Sequence, residues 1–93
     1  MSAFPRKNAT RLNHRDTQYL WVMQHRDGKT ELLIEMSASV NGQLLVAELP
    51  RIVNPAMVVA AIDFGRQNGW TPGASAPPFR CKYLRGKYTR LED

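Results

Sequence analysis

Residues 12–49 read LNHRDTQYLWVMQHRDGKTELLIEMSASVNGQLLVAEL, and the turns inside this stretch decide the fold. Asp27-Gly28 and Asn41-Gly42 are type I′ hairpin signals, because both central residues of that turn take positive φ. Arg15-Asp16 marks a third, less typical turn. Two-residue loops at these places set a register by counting. Arg26 faces Lys29, Met23 faces Leu32, Trp21 faces Ile34 and Tyr19 faces Met36. The Arg15-Asp16 turn puts Leu12 opposite Tyr19. The Asn41-Gly42 turn sets Val40 against Gln43, Met36 against Ala47 and Ile34 against Leu49. Read separately, the three turns agree on one apolar face: Leu12, Tyr19, Trp21, Met23, Leu32, Ile34, Met36, Ala38, Leu45, Ala47 and Leu49. A slip of one residue would turn a strand's apolar set to the other side. The expected element is a four-stranded antiparallel meander over residues 7–49 with that face buried.

The opposite face is mixed. It carries Leu20, Val22, Leu33, Leu44 and Val46, interrupted by Gln24, Glu31, Glu35 and Glu48. Glu35 and Glu48 are expected to oppose each other, which is unfavourable without a nearby cation. Five aliphatics on a face with nothing over it form a candidate protein interface.

A helix follows in residues 54–79, NPAMVVAAIDFGRQNGWTPGASAPPF. Asn54 is a good N-cap, and Pro55 suits the first turn, where its missing N–H costs nothing. Val58, Ala61, Ile62 and Gly65 recur on one stripe. Gly65 in mid-helix costs about 1 kcal/mol against Ala, which close packing onto the sheet would offset. Gly69 reads as the left-handed residue just past the helix, and Trp70 as the apolar residue that folds back on the last turn. Residues 70–78 form a Pro/Gly/Ala/Ser connector. Phe79, Cys81 and Tyr83 then alternate with Arg80, Lys82 and Leu84 as a strand, and Arg85-Gly86 turns it into a hairpin ending near residue 91. The fold class is α+β, in one domain over residues 1–93. It comprises a loose arm at 1–6, the meander at 7–49, one helix over 54–69 on one sheet face and a C-terminal strand or hairpin over 79–91. That hairpin returns to a sheet edge, beside either the first or the fourth strand, and the basic clusters at both chain ends favour the first.

Tyr19, Trp21, Pro55, Val58, Ile62, Gly69, Trp70, Pro72, Pro77, Pro78 and Phe79 form a pattern over residues 19–84. It resembles small uncharacterised bacterial proteins, some encoded on mobile gene cassettes. These share a Tyr-x-Trp strand, a Pro-x-x-Val-x-x-x-Ile…Gly-Trp-x-Pro helix and a Pro-Pro-Phe return. The resemblance implies an architecture and a bacterial origin, without a mechanism. Each matching residue already has a structural task in the reading above.

Catalytic signatures are weak. His-Arg-Asp occurs at residues 14–16 and 25–27, but both copies fall at turns, where Asp is favoured, and no other kinase element accompanies them. His14, His25 and Cys81 lack metal-ligand spacing, so neither metal nor cofactor is expected. Cys81 falls on the buried strand face, where thiols are inert. No apolar run approaches the roughly 20 residues of a membrane span, and residues 1–10 lack the apolar core of a signal peptide. A single cysteine fits a reducing, cytoplasmic setting.

The chain carries 13 Lys+Arg against 8 Asp+Glu, a net charge of +5. Cations concentrate at the ends. Arg80, Lys82, Arg85, Lys87 and Arg90 interleave with Tyr83 and Tyr88, and Lys7 and Arg11 lie among the basic residues of the N-terminal segment. Such a ribbon can track phosphates and stack bases, although cations on an edge strand also guard against aggregation. The first functional expectation is a non-enzymatic interaction or adaptor domain, with a homodimer contact through Leu20, Val22, Leu33, Leu44 and Val46. The alternative is a nucleic-acid-binding accessory protein using the C-terminal ribbon.

Overall fold

Three turns organise the sheet. Arg15-Asp16 (φ 50° and 62°), Asp27-Gly28 (52° and 75°) and Arg85-Gly86 (54° and 82°) take positive φ at both central positions. That type I′ geometry matches the twist of the flanking strands. The computed structural model describes residue 4 and residues 6–39, 42–50 and 54–91. Its elements are a short 3-10 turn (Arg6–Asn8), β1 (Thr10–His14), β2 (Thr17–Arg26), β3 (Lys29–Met36), β4 (Leu45–Leu49), α1 (Pro55–Gln67), β5 (Phe79–Leu84) and β6 (Lys87–Arg90). Among the described residues the fold is α+β: one α-helix and a six-stranded sheet in the order β1-β2-β3-β4-β5-β6. The expected four-stranded meander is present as β1–β4, and the C-terminal hairpin extends it to six strands.

The registers around the first two turns are those obtained by counting. Leu12 pairs with Tyr19, Trp21 with Ile34 and Met23 with Leu32. The third differs. Val40 and Asn41 lie outside the described residues, and Gly42 does not take the positive φ that a type I′ turn requires. β4 pairs Ile34 with Leu45 and Leu32 with Ala47, four residues away from the expected Ile34–Leu49 pairing. The displacement is even, so every side chain keeps its face. Its cause is competition for residues 43–44. The Gln43 N–H donates to Ala74 O (2.8 Å), and Leu44 O accepts from the Phe79 N–H (2.8 Å). Gly42 is needed for close approach, because a Cβ there would collide with the Pro72 carbonyl. Ala38, expected on the core face, lies beyond β3 and is exposed. Glu48 opposes Glu31 rather than Glu35.

Of the two edges left open by the sequence, the C-terminal strand joins the one at β4, not the one the basic clusters favoured. β5 pairs in parallel with β4, with Leu45 opposite Phe79 and Ala47 opposite Cys81. A parallel neighbour needs a crossover connection, which α1 supplies. Asn54 caps α1 by accepting from the Met57 N–H at 3.0 Å. At the other end Gly69 has φ 106°, and the Trp70 N–H donates to Gly65 O at 2.8 Å, the Schellman arrangement. Val58, Ala61, Ile62 and Gly65 face the sheet. An added Cβ at Gly65 would lie 2.6 Å from Leu45 Cδ1 and 3.0 Å from Trp70 Cε3. The glycine therefore permits close packing, as its place on the stripe suggests.

Both sheet faces are covered. Tyr19, Leu32, Ile34, Leu45, Ala47, Phe79 and Cys81 pack beneath α1 and Trp70. On the other side Phe4 packs with Leu20, Leu33 and Val46, and Ala9, Val22 and Leu44 flank them. The N-terminal segment is thus not a loose arm at Phe4, which is buried. β3 is buried on both faces from Thr30 to Glu35, as expected of a central strand.

Candidate functional site

Side-chain alternation divides the C-terminal cations between two faces. Lys82 pairs with Thr89 and Leu84 with Lys87, so Arg80, Lys82, Leu84 and Lys87 share the sheet face away from α1. Arg85 stands at the turn between them. Among the described residues, Lys82, Arg85 and Lys87 are exposed and form no ion pair. Glu48 lies beside Lys82 across β4–β5, but its carboxylate is engaged by Lys29 Nζ at 3.1 Å. Leu84 at the same tip is 58% exposed, the large apolar side chain most open to solvent among the described residues.

The tip borders a cavity of about 420 Å³ between the β2–β3 and β5–β6 turns. Leu49, Pro50, Tyr83 and Leu84 give it apolar walls, and Lys29 and Lys82 frame it. Tyr83 is half-buried there, with its ring edge-on to Tyr88 (centroids 5.0 Å apart).

Other expected contributors are occupied elsewhere. The Tyr88 hydroxyl donates to Met57 O at 2.8 Å, and its ring packs against Phe64. Burial pushes its pKa up, with the neighbouring Cys81 and Tyr83 adding to the shift. Arg90 lies on the helix side: its Nη1 donates to Asn68 O at 3.1 Å, and the guanidinium sits 4.9 Å from the Phe79 ring centre. It closes the end of α1 as a C-terminal cation does. Lys7 and Arg11 are exposed, but Arg11 is on β1 and the ribbon is β5–β6, the two opposite edges of the sheet. The two basic clusters do not merge into the single footprint that pairing beside β1 would have produced.

The aliphatic face is placed differently from an open interface. Leu20, Leu33 and Val46 are buried with Phe4, and Val22 and Leu44 are half-buried. Cys81 is fully buried, which pushes its thiol up to about 12. His25 shares a 3.2 Å contact with Thr30 Oγ1, well away from His14. No group of three or more His, Cys, Asp or Glu able to hold a metal occurs among the described residues. No helix among them is long and apolar enough to cross a membrane.

One cluster was not visible in the sequence. Asp63, on the flank of α1, receives His14 Nε2 at 2.8 Å and Arg15 Nε at 3.2 Å, both at Oδ1. The hydrogen bond with His14 is the main reason the Asp63 carboxyl lies below its ordinary value. Burial opposes it, and the bond and charge of Arg15 assist it. The partners are about fifty positions apart in the chain, at a turn and on a helix, so no local motif announces them. The only available signal was Asp63 itself, an acid beside the apolar stripe.

Comparison of the chain with protein-family models, with curated proteins and with solved structures returned no match.

Proposed function

We propose that this protein is a non-enzymatic nucleic-acid-binding module that holds single strands on its β5–β6 ribbon. The observation that carries the reading is the ribbon tip. Lys82, Arg85 and Lys87 are exposed and without ion pairs among the described residues, and Lys82 lines a cavity walled by Tyr83 and Leu84. Cations that track a backbone beside an aromatic face are the two parts that single-strand binding combines. The half-buried Tyr83 packs its ring on the α1 side of the sheet and lines a space large enough for a base. A duplex keeps its bases stacked and offers none for such a cavity. Roles for Arg80, Tyr88 and Arg90 are secondary: Arg80 is half-buried, and the other two are bonded to α1.

Self-association through the second sheet face has less support, because Phe4 already occupies its centre. The ordinary role of edge cations, discouraging sheet-to-sheet pairing, is compatible with the same charges. A binding assay separates the two. Fluorescence anisotropy with a labelled single strand of about a dozen nucleotides, in about 50 mM salt, should give saturable binding. Lys82→Gln combined with Lys87→Gln should weaken it at least tenfold. Tyr83→Leu should weaken it severalfold with little change in salt dependence. Absence of binding, or equal binding by the double variant, would show that the cations serve only the edge.

A further inference from the structure

The geometry points to a second binding site, for a small organic anion, between the β1–β2 turn and the flank of α1. It lies at the opposite edge of the sheet from the ribbon and does not depend on the nucleic-acid reading. The site is a cavity of about 340 Å³ whose lining includes Arg15, Thr17, Tyr19, Ile62, Asp63 and Arg66. That volume is at the small end of ligand pockets.

Tyr19 supplies the first argument. The residue is 3% exposed, its ring packs against Trp70 (centroids 5.8 Å apart), and its hydroxyl has no hydrogen-bond partner among the described residues. The hydroxyl is not sealed either, since no fully enclosed side-chain oxygen there lacks a partner. A tyrosine this deeply buried normally bonds its O–H to protein. Tyr19 is also one of the residues that line the cavity.

The second argument is an excess of donors. Arg15 retains its terminal nitrogens after bonding Asp63 through Nε. Arg66 is exposed and forms no ion pair among the described residues. Thr17 and Tyr19 add hydroxyls. The single carboxylate in the lining, Asp63, already accepts from His14 and Arg15 at one oxygen. A ligand that satisfies this lining must accept hydrogen bonds and carry negative charge. Ile62 and the Tyr19 ring give it an apolar floor, so the anion is carried on a compact organic group. A phosphate monoester and a carboxylate share this chemistry.

Titration of the full chain with phenyl phosphate, benzoate and inorganic phosphate, followed by amide chemical shifts, tests the site. The organic anions should produce saturable shifts in residues 14–19 and 62–67 with millimolar affinity. Inorganic phosphate should bind more weakly than phenyl phosphate. Arg66→Gln, at an exposed position, should weaken binding about tenfold. Tyr19→Phe should weaken it about threefold to tenfold with an unchanged melting temperature, because the lost hydroxyl has no partner among the described residues. Lys82→Gln should have no effect. Binding of one organic anion alone would assign the class. No saturable shift up to about 20 mM, full affinity in Arg66→Gln, or shifts confined to residues 79–91 would each overturn the proposal.

Discussion

Gln43 is the test of how the connector is held. It is a buried polar residue just before β4, and its side chain makes three bonds to the connector. Oε1 accepts from the Thr71 N–H at 2.7 Å and from Thr71 Oγ1 at 3.2 Å. Nε2 donates to Pro77 O at 2.7 Å. The Gln43 main chain adds two more contacts, accepting from Trp70 Nε1 and donating to Ala74 O, each 2.8 Å. Gln43→Ala removes the side-chain bonds and leaves the main-chain ones. Each is worth about 1 kcal/mol net, and the longer Thr71 bond less, so the loss should be about 2–3 kcal/mol. For a domain of this size that lowers the melting temperature by about 10–20 °C. Thermal and urea unfolding followed by circular dichroism measure it. The transition should stay cooperative, because the helix, sheet registers and Trp70 bond remain. A loss below about 0.5 kcal/mol would refute the view that Gln43 pins residues 70–78 to β4.

Four further outcomes follow from the same geometry. Gly65→Ala should destabilise by about 1–2 kcal/mol in urea unfolding, because overpacking against Leu45 and Trp70 outweighs the gain of about 1 kcal/mol in helix propensity. Asp63→Asn should cost about 0.5–1 kcal/mol at neutral pH, since the site is partly open to solvent. The depressed Asp63 pKa means its contribution is present above the ordinary value of 3.8 and lost as pH falls below it, so wild type and variant should converge in acid unfolding. Cys81 should resist thiol reagents in the native state and react on unfolding. Raised folded-state pKa values at Cys81 and Tyr88 also make stability fall as pH rises above about 9, where the unfolded chain ionises first; unfolding scans across alkaline pH read this directly.

What the sequence discloses depends on how local each determinant is. The β1–β2 and β2–β3 registers were countable because two-residue turns at Arg15-Asp16 and Asp27-Gly28 leave no freedom in pairing. Asn54, Pro55, Gly69 and Trp70 mark the ends of α1 because capping is settled within a few residues. The β4 register was not countable: Gly42 is a glycine for contact with Pro72, thirty positions away, not for a hairpin turn. The strand–helix–strand order of β4, α1 and β5 was the available signal for a parallel pairing; without it both edges stayed open, and the basic clusters favoured the wrong one. The cation positions along the ribbon were legible, but not their division between faces, which withdraws Tyr88 and Arg90 into contacts with α1. The Asp63 cluster and the Tyr19 hydroxyl depend on long-range packing and could not be read in advance.

The central claim is that the β5–β6 ribbon engages phosphates of a single strand. Its most direct test is the dependence of binding on salt, comparing wild type with the Lys82→Gln/Arg85→Gln/Lys87→Gln variant. If three cations each neutralise one phosphate, the logarithm of affinity should fall with the logarithm of salt at a slope of about −2 for the wild type. In the variant the slope should approach zero. A wild-type slope near zero, or an equal slope in the variant, would contradict the account.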